Sequence, residues 1–273
     1  MVGQLSDPGT LCYTGAPKKM KIASWNVNSI RVRIDHVRDW LEEQQPDVLG
    51  LQEIKMPNEN FPLSDLEKSG YHSIVNGQKT YNGVALLTRD QPDSPICDLP
   101  GYEDRQKRVV AATCKDIRVI NVYVPNGQAV GSEKFEYKLE WLDVLREFLA
   151  TELQKYPRLV VFGDYNIAPE DRDVHDPVEW KGKVLCSDAE RNKLRSIMDL
   201  GLVDSYRLFD QEENGFSWWD YRAGAFRRKR GLRIDLMLVS KSLAAACSAS
   251  GIDPAPRRLD RPSDHAPVWA VFN

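Results

Sequence analysis

The sequence predicts an α/β protein in which layers of β-sheet are covered by helices. Short apolar runs rich in Val and Ile alternate along the chain with longer segments of helical periodicity. No linker-like stretch and no internal repeat interrupts this alternation. The chain has 273 residues, of which 42% are hydrophobic, so it is long enough for one large domain with a sizeable core.

Each element follows from its own pattern. Eight apolar runs, most of them bounded by Gly, Pro, Asn or Asp, are predicted as strands: Ile22–Val27, Val48–Gln52, Val84–Thr88, Val109–Cys114, Ile117–Val124, Leu159–Phe162, Ile234–Val239 and Val268–Phe272. Three segments carry apolar residues three or four positions apart and are predicted as helices: Ile30–Glu43, Lys134–Gln154 and Asp188–Leu200. Ser187 precedes the third helix and is its predicted N-terminal cap.

The ends and the overall composition exclude several classes of protein. Residues 1–19 contain Gly and Pro but no apolar signal region, so we expect a flexible extension followed by a single domain over residues 20–273. No apolar run approaches the length of a membrane span. Five scattered cysteines without a CxxC pair favour a reduced, cytoplasmic protein over a disulfide or zinc framework. The net charge of -3 requires that any DNA-binding surface gather its basic residues on one face.

Polar side chains follow the ends of several predicted strands. They are Asn26, Asn28, Glu53, Asn126, Asp164 and Asn166. Ligands of α/β sheets commonly bind outside strand ends, so this recurrence favours a functional site. The alternative is ordinary turn chemistry, because Asn and Asp are common turn formers.

Two of these positions suggest specific chemistry. Glu53 is either the partner of Lys55 in a salt bridge or a metal ligand, and the lack of nearby thiolates favours an oxygen-rich site for Mg²⁺ or Mn²⁺. Alternation along an extended backbone would point Asp164 and Asn166 to the same side. There the acid would handle a proton while the amide holds a water or a phosphate oxygen; an Asx turn is the alternative.

Asp235 lies inside an otherwise apolar run and therefore needs a partner. Arg233, two residues earlier, is one candidate. His265, which follows Asp264 just before the last predicted strand, is the other. Contact with a carboxylate would orient the imidazole and favour its charged form.

A basic and aromatic segment is the candidate DNA-binding surface. Basic side chains are frequent beyond Tyr221, next to several large rings: Arg222, Arg227, Arg228, Lys229, Arg230 and Arg233, with Trp218, Trp219, Tyr221 and Phe226. A second basic stretch contains Arg257, Arg258 and Arg261. Interleaved aromatic and basic residues favour nucleic acid, whereas a solvated charged face is the alternative.

Taken together, several segments resemble the exonuclease III family of abasic endonucleases, within the endonuclease/exonuclease/phosphatase superfamily. They occur in the family order and span residues 20–273: SWNVNSIR (24–31), PDVLGLQEIK (46–55), YNGVALLT (81–88), NVYVPNG (121–127), VVFGDYNIAP (161–169), GLRIDLMLVS (231–240) and SDHAPV (263–268). GLRID and WWDYR are similar to the bacterial branch. The resemblance implies a four-layer α/β sandwich of two packed mixed sheets flanked by helices.

The resemblance also implies a function and a set of site residues. We expect a monomeric, Mg²⁺- or Mn²⁺-dependent phosphodiesterase that hydrolyses double-stranded DNA at abasic sites and at recessed or blocked 3′ ends. The implied metal region comprises Glu53, Asp264, Asn26 or Asn28, Asp164 and Asn166. The implied catalytic residues are Tyr123 at the phosphate, Asp164 and Asn166 at the attacking water, and Asp235 orienting His265. The implied substrate contacts are Asn126, Trp218, Arg222, Arg228, Arg230 and Leu232.

The chain departs from the family pattern at two of these positions. Asn28 stands where some members have Asp, and Leu232 replaces a Trp of the animal branch. We expect Phe216–Tyr221, with Leu232 and Phe226, to form the wall of an abasic-sugar pocket. The alternative is that the insert Asp171–Lys183 closes over the site and restricts it to frayed 3′ ends. The rival functions are another phosphodiesterase of the superfamily, acting on inositol phosphates, lipids or nonspecific DNA, and a non-catalytic binding module.

Overall fold

The strands and helices follow the predicted alternation. The computed structural model describes residues 19–273, so the expected extension over residues 1–19 lies, except for Lys19, outside the described residues. The strands are β1 (Met20–Asn26), β2 (Val48–Gln52), β3 (His72–Asn76), β4 (Val84–Thr88), β5 (Asp93–Cys97), β6 (Val109–Cys114), β7 (Ile117–Tyr123), β8 (Leu159–Asp164), β9 (Leu202–Asp204), β10 (Asp235–Ser240), β11 (Cys247–Ile252) and β12 (Val268–Phe272). The α-helices are α1 (Ile30–Gln44), α2 (Leu63–Lys68), α3 (Glu133–Lys155), α4 (Pro177–Trp180), α5 (Asp188–Met198) and α6 (Lys241–Ala244).

The strands form two six-stranded mixed sheets. One has the order β11-β12-β1-β2-β4-β3 and the other β5-β6-β7-β8-β10-β9. β1 pairs in parallel with β2, and β7 with β8, while the other neighbours are antiparallel. The two sheets therefore have the same internal plan.

Alternation of side chains along the strands packs the sheets face to face and covers them with helices. Ile22 of β1 and Phe162 of β8 belong to one apolar cluster between the sheets. Leu49 packs with the residues of α1 on the outer face of the first sheet, and Val161 packs with those of α3 and α5 on the outer face of the second. The order of layers is helix, sheet, sheet, helix, which confirms the predicted four-layer sandwich.

Close approach of the two sheets depends on a glycine and a buried amide. A Cβ at Gly50 would lie only 2.3 Å from Cε2 of Phe162. Beside it, Gln52 Nε2 donates to Ser24 Oγ at 2.9 Å and to Asn121 Oδ1 at 2.6 Å, so a polar bridge joins β1 and β2 to β7. This bridge fixes how the strand ends of one sheet face those of the other.

All eight predicted strands and all three predicted helices are present; four strands match at both ends, and the other ends differ by at most two residues. Ser187 caps α5 as predicted: its side chain accepts from Glu190 N–H, and the Glu190 carboxylate accepts from the Ser187 N–H. Four strands of the described residues, β3, β5, β9 and β11, and the short helices α2, α4 and α6 were not predicted. Within residues 19–273, no helix combines the length and the apolar composition that crossing a bilayer requires.

Candidate active site

Strand register brings three of the expected catalytic residues side by side. Asp164, the last residue of β8, is paired with Tyr123 on parallel β7 and with Asp235 on antiparallel β10. The predicted end of this strand at Phe162 was wrong by two residues, because the pairing continues through Gly163 and Asp164. The three side chains therefore start from fixed points on adjacent strands at one edge of the sandwich.

Asn26 joins this row to the other sheet. As the last residue of β1, it donates from Nδ2 to Glu53 Oε1 and to Asp164 Oδ2, each at 2.9 Å. Its Oδ1 accepts the N–H of Asn28 at 3.0 Å. Asn26 thus holds two carboxylates close together. Its assignment to the metal region stays a prediction.

The loops that follow these strands have left-handed backbone at non-glycine residues. The φ angles are 43° at Asn28, 93° at Ser29, 50° at Glu53 and 50° at Asn166. Such conformations cost of order 1 kcal/mol or more each and persist where the surroundings enforce them. Here backbone hydrogen bonds between the two loops hold these conformations: Ser29 and Ile30 donate their N–H groups to the carbonyls of residues 53 and 54.

Glu53, Asp164 and His265 form the titratable centre of the site. One potential ligand atom from each residue lies within 4.8 Å of those of the other two. Glu53 also forms a salt bridge with Lys55 at 2.8 Å, so both interpretations of this residue from the sequence find support. Two carboxylates held this close are the donor set that a hard divalent cation prefers. The residues present therefore fit a metal ion.

Asp164 is buried among other charges. Burial and the neighbouring carboxylates of Asp235 and Glu53 raise its pKa, although His265 and Asn26 act in the opposite direction. Its Oδ1 accepts the N–H of Asn166 at 2.9 Å, which is the contact of an Asx turn, the alternative interpretation of these two residues. Since Asn166 is not extended, the expectation that alternation places the two side chains on one side was wrong.

Asn166 is turned instead toward the loop after β7. Its Oδ1 accepts from Asn126 Nδ2, and its Nδ2 donates to the carbonyl of Val124, both at 3.0 Å. Two expected site residues, Asn126 and Asn166, thus contact each other. Their amides connect the ends of β7 and β8 on the side facing away from Asp235.

Asp235 and His265 form the predicted contact. His265 Nδ1 lies 2.9 Å from Asp235 Oδ2, and its Nε2 faces Asp164 Oδ2 at 3.7 Å. Burial alone would lower the pKa of His265, but the carboxylates around it raise the pKa well above its usual range. Arg233, the alternative partner, pairs with Asp173 and Asp204, each at 2.7 Å. The imidazolium is therefore held between two acids.

Asp264 lies beside this centre and is not part of the close group. Its Oδ1 accepts from Asn28 Nδ2 at 2.9 Å, and its Oδ2 accepts from Trp218 Nε1 at 3.0 Å. Although burial alone would raise the pKa of Asp264, the charge of His265 and these two hydrogen bonds lower it. Asp264 and Asn28 thus extend the acidic region toward Trp218.

Residues that were not predicted hold this side together. Ser217 Oγ accepts the N–H of Asp235 at 3.0 Å, and Ser263 Oγ donates to the carbonyl of Asn26 at 2.6 Å. Arg33 donates to the carbonyls of Asn28 and Pro262 and to the Tyr221 hydroxyl. Ser263 belongs to the recognised SDHAPV segment, but nothing in the local sequence around Arg33 identifies its role.

The basic segment is only partly arranged as predicted. Arg222, Arg228 and Arg230 are exposed. By contrast, Leu232 is fully buried in an apolar cluster with Val174 and Ile234. The expectation that Leu232 contacts the substrate is therefore wrong. Its side chain packs in the apolar cluster beneath the basic segment.

The expected pocket wall, Phe216–Tyr221, is exposed only in part. Phe216 and Trp219 are buried, whereas Trp218 is partly exposed and Tyr221 is exposed. Arg257, predicted as part of a basic surface, is also buried, with its guanidinium 5.0 Å from the Phe226 ring centroid. Trp218 and Tyr221 are the rings of this segment that remain available to a ligand.

The insert Asp171–Lys183 lies against the same segment. The His175 N–H donates to the carbonyl of Gly231 at 3.1 Å. The Trp180 ring meets Trp218 edge-on, with centroids 6.5 Å apart. The insert thus borders the site at Trp218, and its closure over the site stays a prediction.

A four-layer α/β sandwich with a carboxylate and imidazole centre at one edge defines a class of metal-dependent phosphodiesterases. The chain belongs to the endonuclease/exonuclease/phosphatase family, whose sequence profile matches residues 23–265. This confirms the membership that the sequence motifs indicated.

Relatives with named activities match most of the chain. Exodeoxyribonuclease III of Haemophilus influenzae is 40% identical over 266 residues, which cover 93% of this chain and 100% of that protein. A Neisseria 3′ phosphatase, solved with a product DNA hairpin, is 47% identical with a TM-score of 0.92, covering 93% of this chain and 99% of that one. An AP endonuclease from Archaeoglobus fulgidus is 39% identical with a TM-score of 0.89, again covering 93% and 99%.

Proposed function

We propose that this protein is a Mg²⁺- or Mn²⁺-dependent DNA phosphodiesterase that cleaves at abasic sites and removes nucleotides or blocking groups from 3′ ends. The observation that carries the proposal is the close group of Glu53, Asp164 and His265 at the edge of the sandwich. The activities named for the similar proteins support the substrate class. All these residues come from a single chain, which suits a monomer.

Glu53 is the principal residue that would hold the ion, with Asp164 beside it and the Asp264–Asn28 pair at the rim. When bound, the ion supplies positive charge that stabilises the phosphate and the leaving oxygen. Asn26 keeps the two carboxylates together, and Lys55 limits their mutual repulsion. The partial exposure of Glu53 leaves this side open to substrate.

The remaining site residues have separate roles in hydrolysis. Asp164, with a raised pKa at the centre of the site, takes a proton from the attacking water, while the amides of Asn126 and Asn166 orient that water. His265, oriented by Asp235, donates from Nε2 to a phosphate oxygen. Burial and nearby carboxylates raise the pKa of Tyr123, so its hydroxyl stays protonated and donates to the same phosphate.

DNA would cross the site between two surfaces. On one side, a groove of about 760 Å³ begins at Tyr123 and Asn126 and is bordered by Tyr81, Arg108 and Lys134. On the other side lies the segment with Trp218, Tyr221, Arg222, Arg228 and Arg230. Phosphates would meet the basic side chains, and a displaced sugar would meet Trp218.

The test of the proposal is a side-by-side cleavage assay on a duplex with one internal abasic site and a duplex with a recessed 3′ end. With Mg²⁺ or Mn²⁺, both should be cleaved, and excess EDTA should abolish both reactions. Cleavage that persists in EDTA would contradict metal dependence. Robust abasic incision without any attack on 3′ ends would contradict a shared site, and Trp218→Ala should change the ratio of the two activities if the site is shared.

Neutralising Arg228 and Arg230 should weaken DNA binding and flatten its dependence on salt. Each lost phosphate contact reduces the slope of log K against log salt by about 0.9 for duplex DNA. The measurement is a binding titration over a series of salt concentrations. Lys193→Ala, which removes a partly exposed lysine paired with Asp143, is the matched control and should leave the slope unchanged. An unchanged slope in the Arg228→Ala/Arg230→Ala variant would mean that this run is a solvated face.

A further inference from the structure

We propose that the buried ion pair between Lys138 of α3 and Glu190 of α5 is a positioning device that holds Asn126 and Asn166 in register. The inference rests on the proposed function of the site. Both side chains are completely buried, and the Lys138 ammonium contacts the Glu190 carboxylate directly. Neither residue touches the expected position of the phosphate, so each would act through the residues that it holds.

Lys138 uses all of its donors on site loops and on Glu190. An ammonium has three N–H groups. One reaches the carbonyl of Asn166 at 2.7 Å, one the carbonyl of Asn126 at 3.2 Å, and one the Glu190 carboxylate. The two carbonyls belong to the residues whose side-chain amides meet at 3.0 Å. A single ammonium therefore fixes the separation of the loops that follow β7 and β8.

Glu190 also binds a third segment, the residues that lead into α5. Its Oε1 accepts the N–H of Leu185 at 3.0 Å, and its Oε2 accepts from the N–H and the hydroxyl of Ser187. Leu185 stands where the insert rejoins the domain, just before α5. The contacts therefore run from the insert through one carboxylate and one ammonium to both amides of the site.

Stability alone is a weak reason for such an arrangement. Apolar residues of similar volume can replace a buried ion pair with little loss, because desolvation offsets most of the attraction. The two loop carbonyls, however, would lose their donor if Lys138 were apolar, and the loops would shift to recover one. A displacement of about 1 Å in a positioning group costs on the order of 10²-fold in rate.

The experiment compares two double variants that each remove a buried ion pair anchored on α3. Lys138→Met/Glu190→Gln removes the proposed device without leaving an unpaired charge. Arg118→Met/Glu152→Gln is the control: that pair is equally buried, with Arg118 Nε 2.7 Å from Glu152 Oε2. Glu152 lies 14 residues beyond Lys138, about 21 Å along the helix. For each protein, kcat and KM on the recessed 3′ end are measured together with the thermal midpoint.

We expect kcat of Lys138→Met/Glu190→Gln to fall on the order of 10²-fold with little change in KM, while the control keeps the wild-type kcat at a similar thermal midpoint. Glu190→Gln alone, which keeps the Lys138 ammonium but removes its charged partner, should lower kcat in the same direction. Equal kcat in the two double variants, or a loss confined to KM, would overturn the inference. An inactive wild type would instead overturn the proposed function, so the two failures are distinguishable.

Discussion

Replacing Asp164 with Asn should lower kcat on both DNA substrates by about 10²- to 10⁴-fold while DNA affinity changes far less. Asn retains the shape of the side chain and can still accept the Asn166 N–H, so the turn after β8 should survive. What disappears is the group whose pKa burial and the neighbouring carboxylates raise. If Asp164 takes a proton from water, the chemical step slows and binding does not.

Asp204→Asn provides the matched control for this prediction. Asp204 is also a buried acid of the same sheet, on β9 beyond β10, but it pairs with Arg233 and lies outside the close group at the site. Its replacement should lower the thermal midpoint and leave kcat near the wild-type value. A loss seen mainly in DNA affinity for Asp164→Asn would mean that the carboxylate positions the substrate and does not transfer the proton.

The strands that the sequence predicted are those in the interior of the two sheets. All six residues of β8 and all seven of β7 are buried, so these strands are mostly apolar. The four missed strands, β3, β5, β9 and β11, are the four sheet edges. β5 is largely exposed and contains Pro95, which an edge strand tolerates because one side of its backbone has no neighbour. Edge strands do not show the apolar pattern of a buried strand in the sequence because fewer of their side chains are buried.

At the candidate site, residue type was easier to predict than partner. A buried carboxylate at Asp235 needed a partner, and the local sequence left both Arg233 and His265 as candidates. The choice depended on where β10 begins: residues 231–234 precede the strand, so alternation does not place Arg233 on the side of Asp235. His265 is brought in by the turn before β12, a strand of the other sheet. That proximity follows from the packing of the two sheets and not from local pattern.

Leu232 and Lys138 are two further residues whose burial the local sequence does not predict. The motif around Leu232 implied a substrate contact, but the side chain is directed into the cluster beneath the segment. Lys138 lies on the apolar side of a helix, where a lysine usually extends its end to solvent. Its burial is visible only after the loops that follow β7 and β8 are placed around it.

Replacing Glu53 with Ala should lower kcat on both DNA substrates by at least about 10²-fold, the rate equivalent of several kcal/mol of lost charge stabilisation. Glu53 contributes a carboxylate to the close group, and its loss leaves Asp164 as the remaining acid there. The fold should be preserved, because the side chain is partly exposed and Lys55 keeps its contact with Asn28.

Titration with Mg²⁺ separates loss of the ion from other effects of Glu53→Ala. The half-saturating Mg²⁺ concentration for cleavage should rise in Glu53→Gln, which keeps the shape of the side chain and removes its charge. Asp47→Asn is the control, since Asp47 lies just before β2, at the opposite end of the strand that Glu53 follows, and accepts the Lys21 N–H at 2.8 Å. Its Mg²⁺ dependence should match the wild type. If Glu53→Ala instead cleaves at the wild-type rate and the wild-type Mg²⁺ concentration, the salt bridge to Lys55 is the whole role of this residue, and the ion must be held elsewhere.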